Sequence, residues 1–357
     1  MSEASLASRA GTPTVDRPPI HFYYPLGDPK GVVAEQVVNV FSREKHRPGN
    51  YNWTVKTWAH LTCAGYTCKL TDTLPEEGIV VTHRELLPNR AVPGARQLFV
   101  CVVADFYRHP FAQLHTLQNR SAPMLTQPSP AWPGTFLPLW PQTGLRPRDP
   151  ARGERFENIA YYGLPERLAP QLRSKDFERR MQSLGFRFRV VERNCWDDYR
   201  ETDAVLAVRS FAQLPFDKFP PSKLYNSWFA GVPALLGRES AYRAERRSEL
   251  DYFEVRGVED VIDTLLRLRD DPAQRLAIQR NAALRAAENR PERLIERWIA
   301  FLDTTATPAY WRWRAATSAQ RALFLASRTA HYGAYACGDF GLRAARFARR
   351  KSRELLP

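Results

Sequence analysis

Twice along the chain, short apolar runs of strand length alternate with amphipathic runs of helix length. That alternation limits the fold more than any other feature. A helix between two strands makes the strands parallel, because a parallel pair needs a long crossover and an antiparallel pair only a tight turn. The first series opens at Ile20-His-Phe-Tyr-Tyr24, passes a loop from Pro25 to Gly31 and enters VVAEQVVNVFSREK. A helix is expected over roughly Trp53 to Ala64, then strands in TCKLTD, GIVVTH and LFVCVVAD, then a helix near Phe111–Leu117. The second series starts over with ENIAYYG and the helix ERLAPQLRSKDFERRMQSLG, closed by Gly185. FRFRVVE and AVLAVRS follow as strands, then a helix from Ser222 to Ala230, the strands VPALLG and YFEVRG, and the helix VEDVIDTLLRLRDDPAQRLAIQRNAALRAAEN. The expected class is α/β, with two Rossmann-like domains facing each other across a cleft.

A length of 357 residues suits two domains better than one. Residues 121–155 carry eight prolines and no helical period, which marks a stiff linker. Its apolar side chains Trp132, Phe136, Leu139 and Trp140 argue that it packs against something. The expected division is a disordered lead-in at 1–19, a first domain at 20–120, the linker at 121–155, a second domain at 156–303 and C-terminal helices with a basic tail at 304–357. Part of that last segment is expected to pack back on the first domain.

No run approaches 18 consecutive apolar residues, so no membrane span is expected. The N-terminal stretch lacks the apolar core of a secretory signal. Cys63, Cys68, Cys101, Cys195 and Cys337 are scattered, and no His pair accompanies the first two, so free thiols in a cytoplasmic protein are expected. The net charge is +14, and residues 304–357 alone hold ten Lys or Arg against Asp339 and Glu354. Phosphates, nucleic acid and an anionic membrane surface would each suit such a tail. Specific nucleic-acid binding is disfavoured, because no recognition module is present. Peripheral contact of Arg343–Arg353 with the inner face of a membrane is the expectation instead.

The most informative segment runs from Lys218 to Ser240, KFPPSKLYNSWFAGVPALLGRES. Two prolines enter a short helix, with Ser222 as the expected N-cap. Gly231 ends it, Val232-Pro233 opens a strand at once, and Gly237 closes that strand beside Glu239 and Ser240. A helix N-terminus beside a glycine-bearing strand end is suited to an anion. Lys223 and Arg209 offer fixed positive charge toward a diphosphate, and Gly163 ends the corresponding first strand of the second series.

This segment, with the downstream acidic helix ending in R-x-x-D-D-P-A-x-R, resembles the C-terminal domain of the GT-B glycosyltransferases. KLYNSWFAGVPALLGRESAYRAERRSELDYFEV is similar to a bacterial group of that kind. The resemblance extends over most of the chain, including ADFYRHPFAQLHTLQNR and GLRPRDPARGERFENIAYYG. It implies a nucleotide-sugar donor held by the second domain, a glycan or lipid acceptor on the first, and no cofactor or catalytic metal. In polysaccharide biosynthesis such enzymes transfer the sugar to the acceptor. The better-known retaining members place two glutamates eight positions apart where this chain has Lys218 and Asn226. Asn226 can still bond a hydroxyl, and Glu239 is the nearest replacement carboxylate.

An inverting reaction needs a base near the acceptor hydroxyl. Asp105 and His83 stand at expected strand ends and are the catalytic candidates; Asp28 and His109 are weaker ones. Structural roles compete throughout: a cap or an ion pair with Arg108 for Asp105, a loop pair with Arg84 for His83, a turn for Asp28. Arg209 has a competing ion pair with Asp203 or Glu239. A nucleotide-sugar or glycan-binding protein without catalysis is the alternative, since a fold does not fix a function. A nicotinamide enzyme is disfavoured, because GDPKG lacks the G-x-G-x-x-G spacing.

Overall fold

The computed structural model describes residues 17–39, 48–214 and 216–333. One sheet holds β1 (Ile20–Tyr23), β2 (Lys69–Thr71), β3 (Gly78–His83), β4 (Gln97–Val102), β5 (Leu114–Leu117) and β6 (Gly134–Phe136). Their order is β2-β1-β3-β4-β5-β6, and all pairings are parallel. Helices α1 (Ala34–Asn39) and α2 (Gly49–Cys63) join β1 to β2, and the short α3 (Pro123–Thr126) precedes β6. The second sheet holds β7 (Asn158–Tyr161), β8 (Arg187–Val190), β9 (Ala204–Ala207), β10 (Ala234–Leu236) and β11 (Phe253–Glu254). It too is wholly parallel, in the order β11-β10-β9-β7-β8. Its helices are α4 (Lys175–Ser183), α5 (Ser222–Ala230), α6 (Ser240–Glu245), α7 (Val258–Asp270) and α8 (Pro272–Ala287). Then follow α9 (Pro291–Phe301), α10 (Thr307–Ala315) and a helical segment at 318–333. Two Rossmann-like α/β units are therefore present, as expected.

Both sheets share one topology, with the first strand between the second and the third. Crossovers leave such a strand pair in opposite directions, which opens a crevice at the strands' carboxyl ends. Those switch points are β1/β3 and β7/β9.

The structure departs from the sequence expectations at several elements. Phe111–Leu117 is not helical; Leu114–Leu117 is β5, wholly buried between β4 and β6. A short buried apolar run cannot be assigned by periodicity alone. Within the Pro-rich stretch, Gly134–Phe136 pairs with β5 as an edge strand, a position that tolerates the preceding Pro133. The helix expected from Glu166 begins only at Lys175, where Ser174 Oγ accepts from the Phe177 amide at 3.1 Å. Pro221, not Ser222, caps α5. The long helix breaks at Pro272, and Asp271 caps α8 by accepting from Gln274 N at 2.8 Å. The end of VVAEQVVNVFSREK, the lead-in through residue 16 and the basic segment Arg343–Arg353 lie outside the described residues. No described helix is long and apolar enough to cross a membrane.

One core fills the first sheet's face of Phe22, Val81 and Val100. Val55 and Ala59 of α2 cover part of it, and Leu294, Trp298, Phe301, Tyr310 and Trp313 cover the rest. The chain thus recrosses to the first sheet at α9, before residue 304. Polar ties fix the crossing: Tyr66 Oη donates to Asp303 at 2.7 Å, and Trp313 Nε1 to Gly94 O at 2.8 Å. The linker is pinned on both sides, with Leu139 in the second core and Trp140 in the first. Lys56 is buried and donates to Pro141 O at 2.7 Å.

Asp203 holds the far end of that linker. Its fully buried carboxylate takes Arg148 Nε at 2.9 Å, Arg152 Nη2 at 2.7 Å and the amides of Glu157 and Asn158 at 3.0 and 2.9 Å. Burial alone would raise its pKa, but the Arg152 and amide hydrogen bonds hold it below the ordinary carboxylate value. A carboxyl with a depressed folded pKa stabilises the fold above its unfolded pKa of about 4, and loses that effect as pH falls further. Asp203→Asn is expected to destabilise by about 3–5 kcal/mol at neutral pH, with the gap closing on acidification below pH ~4. Urea unfolding across that pH range checks both. Trp298→Ala is expected to cost about 3–5 kcal/mol; a loss near 1 kcal/mol, about that of an average point mutation, would mean α9 contributes little to the first core.

Candidate active site

Three strand ends of the second sheet meet around one ion pair. Beyond β9 the chain runs Val208-Arg209-Ser210, beyond β7 Tyr162-Gly163, and beyond β10 Gly237-Arg238-Glu239. Arg209 Nη1 pairs with Glu239 Oε2, and their side chains are 17% and 2% exposed. Gly163 lets the chain turn tightly here, since a Cβ on it would sit 2.6 Å from the Tyr161 hydroxyl. Lys223, in the first turn of α5, lies with Nζ 5.6 Å from the Tyr161 ring centre. Burial and then the Arg209 charge lower its pKa to about 8, against the pull of Glu239. Lys223 therefore stays mostly protonated at neutral pH. Buried Tyr242 on α6 adds a hydrogen bond to Arg209.

Glu239 is half used. Burial raises its pKa while Arg209 and Lys223 pull it down. Oε1 is buried and has no partner among the described residues. A buried acceptor left unpaired is costly, so this oxygen is suited to a donor that arrives with a ligand.

The first sheet presents His83 at the end of β3 and Asp105 beyond β4. His83 Nδ1 accepts from the Glu85 amide at 3.3 Å, which assigns the ring proton to Nε2. That nitrogen is buried and unpartnered. Burial, then the Arg84 charge, push the pKa to about 4. A neutral imidazole with its acceptor nitrogen occupied cannot take a proton, so the expected base role does not fit His83. It can donate one hydrogen bond. Asp105 is exposed, and its carboxylate makes no hydrogen bond or ion pair among the described residues. Arg108 is turned to the Trp132 ring, 4.1 Å from its centre. Asp28 is spent on a turn, accepting from Lys30 N at 2.9 Å. His109 is structural: Nδ1 takes the amides of Phe111 and Ala112 at 3.1 Å, and Nε2 bonds Pro88 O at 2.9 Å.

Two loops join the sheets' carboxyl edges. Phe106 packs edge-on against His83 at 5.3 Å, and Lys218 Nζ stands 3.2 Å over the Tyr107 ring. Phe219 lies 4.5 Å from the Arg209 guanidinium. Asn119 Nδ2 donates to Asp217 O at 2.8 Å, and Arg120 reaches buried Glu245 at 3.2 Å. Contacts thus run without a break from His83 to Glu239. Among the described residues, Ala104 (φ 50°) and Phe216 (φ 47°) are the non-glycines with left-handed backbone, one in each loop. Such strain is held only where the surroundings enforce it, and it gathers at functional sites.

Of the expected donor-binding residues, Gly163, Arg209, Lys223, Gly237 and Glu239 come together at this edge, and Ser240 opens α6 next to them. Asn226 does not join them. Its Oδ1 accepts from Gln142 N at 3.4 Å and its side chain bonds Tyr199, so it serves the linker. Tyr161, Tyr242 and Phe219 shape the site without any motif that marks them; only their places at strand and helix ends point to it.

No protein-family model matches the chain, and no curated protein matches its sequence. Solved structures with a similar chain path include HepE of Anabaena in complex with UDP, at 10% identity, covering 72% of this chain and 84% of that one, with a TM-score of 0.47. The same protein with UDP-glucose gives 10%, 63%, 78% and 0.44. Sucrose-phosphate synthase from Thermosynechococcus elongatus gives 12%, 71%, 72% and 0.41.

His83 is expected to remain neutral, with the proton on Nε2, from pH 8 down to about 5, because its pKa is pushed to about 4. Side-chain nitrogen NMR on the ring checks this; an ionisation near the ordinary value of about 6.5 would contradict the tautomer assigned by the Glu85 bond.

Proposed function

We propose that this chain is a glycosyltransferase. It takes a nucleotide-sugar at the β7/β9 edge and an acceptor at the β3/β4 edge. The observation that carries the reading is the meeting of the two strained loops, which brings a half-buried cationic pair and a half-used carboxylate together with a free carboxylate and a buried imidazole donor.

Arg209 and Lys223 would offset the charge of a diphosphate, the group that leaves when the sugar is transferred. Glu239 Oε1 would accept from a hydroxyl of the donor, satisfying an oxygen that is otherwise unpaired. His83 Nε2–H would donate to a hydroxyl or ring oxygen of a bound sugar. Asp105 would take the acceptor's proton as its oxygen attacks. No step in this scheme calls on a metal, since fixed cations already face the leaving group. The acceptor is a glycan or a lipid.

Thermal shift with UDP-, GDP-, ADP- and dTDP-sugars tests the donor side. At least one is expected to raise the melting temperature, and Lys223→Ala and Glu239→Gln are expected to remove most of that rise. The rise should also shrink as pH climbs through about 8, where Lys223 loses its proton. Stabilisation by none of the four would remove the donor assignment. Asp105→Asn is expected to lower kcat by about 10²–10⁴-fold with donor binding intact. Binding without turnover over an acceptor panel would instead identify a nucleotide-sugar-binding protein.

A further inference from the structure

Asp105 stands on a tight turn beyond β4, closed by the Phe106 amide donating to Val103 O at 3.0 Å. The turn carries the left-handed Ala104, whose amide donates to Gln118 Oε1 at 2.8 Å. A non-glycine residue keeps such a backbone only where its surroundings hold it. Just past the turn the chain is held by Arg84, the residue that follows β3. Arg84 Nε donates to Tyr107 O at 3.0 Å, Nη1 to Leu87 O at 3.1 Å, and Nη2 to Asn89 Oδ1. These three contacts are all to neutral oxygens. One planar fork thus fixes the segment after β4 against the loop after β3, which a lysine with the same charge could not do.

Asn89 passes the contact on. Its Nδ2 donates to Tyr332 Oη at 3.1 Å, in the helical segment 318–333. That segment is anchored on the first core by Phe324, whose ring centre is 5.0 Å from that of Trp313. His331 stands edge-on to Trp132 at 5.1 Å. Arg328 is only 3% exposed, and its guanidinium lies 4.6 Å from the ring centres of Trp132 and Phe324. Its Nη1 is buried without a partner among the described residues. Trp132 Nε1 in turn donates to Pro110 O at 3.3 Å, and His109 Nε2 bonds Pro88 O at 2.9 Å from one loop to the other. The last described helix therefore reaches both loops of the candidate acceptor edge, one through Asn89 and the other through Trp132.

A base has to meet the acceptor hydroxyl in a narrow geometry, and a misplacement of about 1 Å can cost about 10²-fold in rate. A side chain on a loop keeps such a geometry only when its neighbours lock it. His83 reports on the same turn, because the Phe106 ring lies edge-on to it at 5.3 Å.

We propose that Arg84 is a positioning residue for Asp105, and that the segment 318–333 acts on the Asp105 turn through Tyr332 and Asn89. The catalytic half rests on the proposed function, in which Asp105 is the base.

The test follows the His83 ring by NMR, and the backbone amides by hydrogen exchange, in the full chain at neutral pH. Arg84→Lys keeps the charge beside His83 and loses the fork. Tyr332→Phe keeps the ring and loses the hydroxyl that Asn89 meets. Both are expected to move the His83 ring-proton shifts, Arg84→Lys further, because the Phe106 ring moves with the turn. Exchange over 104–108 is expected to rise about tenfold or more in Arg84→Lys and about twofold or more in Tyr332→Phe, with β4 unchanged. Wild-type shifts or wild-type exchange in Arg84→Lys overturn the proposal, and the same result in Tyr332→Phe alone overturns the part given to the helix. If Arg84→Lys does not fold, Asn89→Ala replaces it with the same expected rise. These readings use no substrate, so they are decided separately from the donor site and from the role of Asp105 as base. With a donor identified by thermal shift, Arg84→Lys is expected to lower kcat by about 10²-fold at unchanged donor KM; a wild-type kcat overturns the positioning role.

Discussion

A parallel sheet has to be covered on both faces, and the first sheet of this protein borrows part of its cover from the far end of the chain. Leu294, Trp298 and Phe301 of α9, with Tyr310 and Trp313 of α10, enter the core that Phe22, Val81 and Val100 begin. The covalent order of the chain would otherwise leave that face open to water. Because α9 follows directly on the second domain, the burial that completes the first core also ties the two sheets together. The linker does the same from its side, sending Leu139 into one core and Trp140 into the other. With two crossings fixed by apolar burial, the carboxyl edges of both sheets are held within reach of each other's loops.

Everything at the candidate site depends on that placement. Arg209 and Glu239 pair within one domain, but the ring beneath Arg209 belongs to the 216–219 loop, which Asn119 and Tyr107 hold from the other. The pair is arranged unevenly. Arg209 is satisfied by one carboxylate oxygen and by Tyr242, while the second oxygen of Glu239 is left without a donor. Across the loops, His83 has the reverse deficiency, an N–H without an acceptor. A buried unmet donor and a buried unmet acceptor, joined by contacts through two strained loops, are more readily explained by a ligand that serves both than by packing alone.

A similar imbalance recurs at Arg328, and its origin differs. There the uncompensated group sits under a helix that reaches the first domain only after both crossings are complete. The last described helix adds Phe324 to the first core beside Trp313 and lies over Asn89 and Trp132. Trp132 and the helix's own Phe324 flank the Arg328 guanidinium without neutralising it.

Much of the architecture was legible in the sequence. The alternation of strand and helix periods determined two parallel units. Gly231, which adopts the left-handed conformation at φ 68°, determined where α5 stops. The Gly237–Glu239 turn marked the edge proposed for the donor. These are local matters, set by the period of apolar residues and by the few residues that accept a special backbone. The sequence could not decide that Leu114–Leu117 pairs as a strand, since a four-residue apolar run fits either period and only the neighbours β4 and β6 choose between them. Nor could it separate Lys223 from Asn226, one turn apart on the same helix: the first meets Tyr161, and the second is taken by Gln142 of the linker. His83 read as a base by its position, and the amide of Glu85 together with burial made it a neutral donor. Protonation, pairing and partner choice depend on groups far apart in the chain, and the energy of a buried charge or an unmet hydrogen bond is set by those neighbours. The sequence by itself determined the two alternating series of strands and helices, though not β5 and β6; the tertiary structure alone decided which charges are buried, which are answered and which are left unmet.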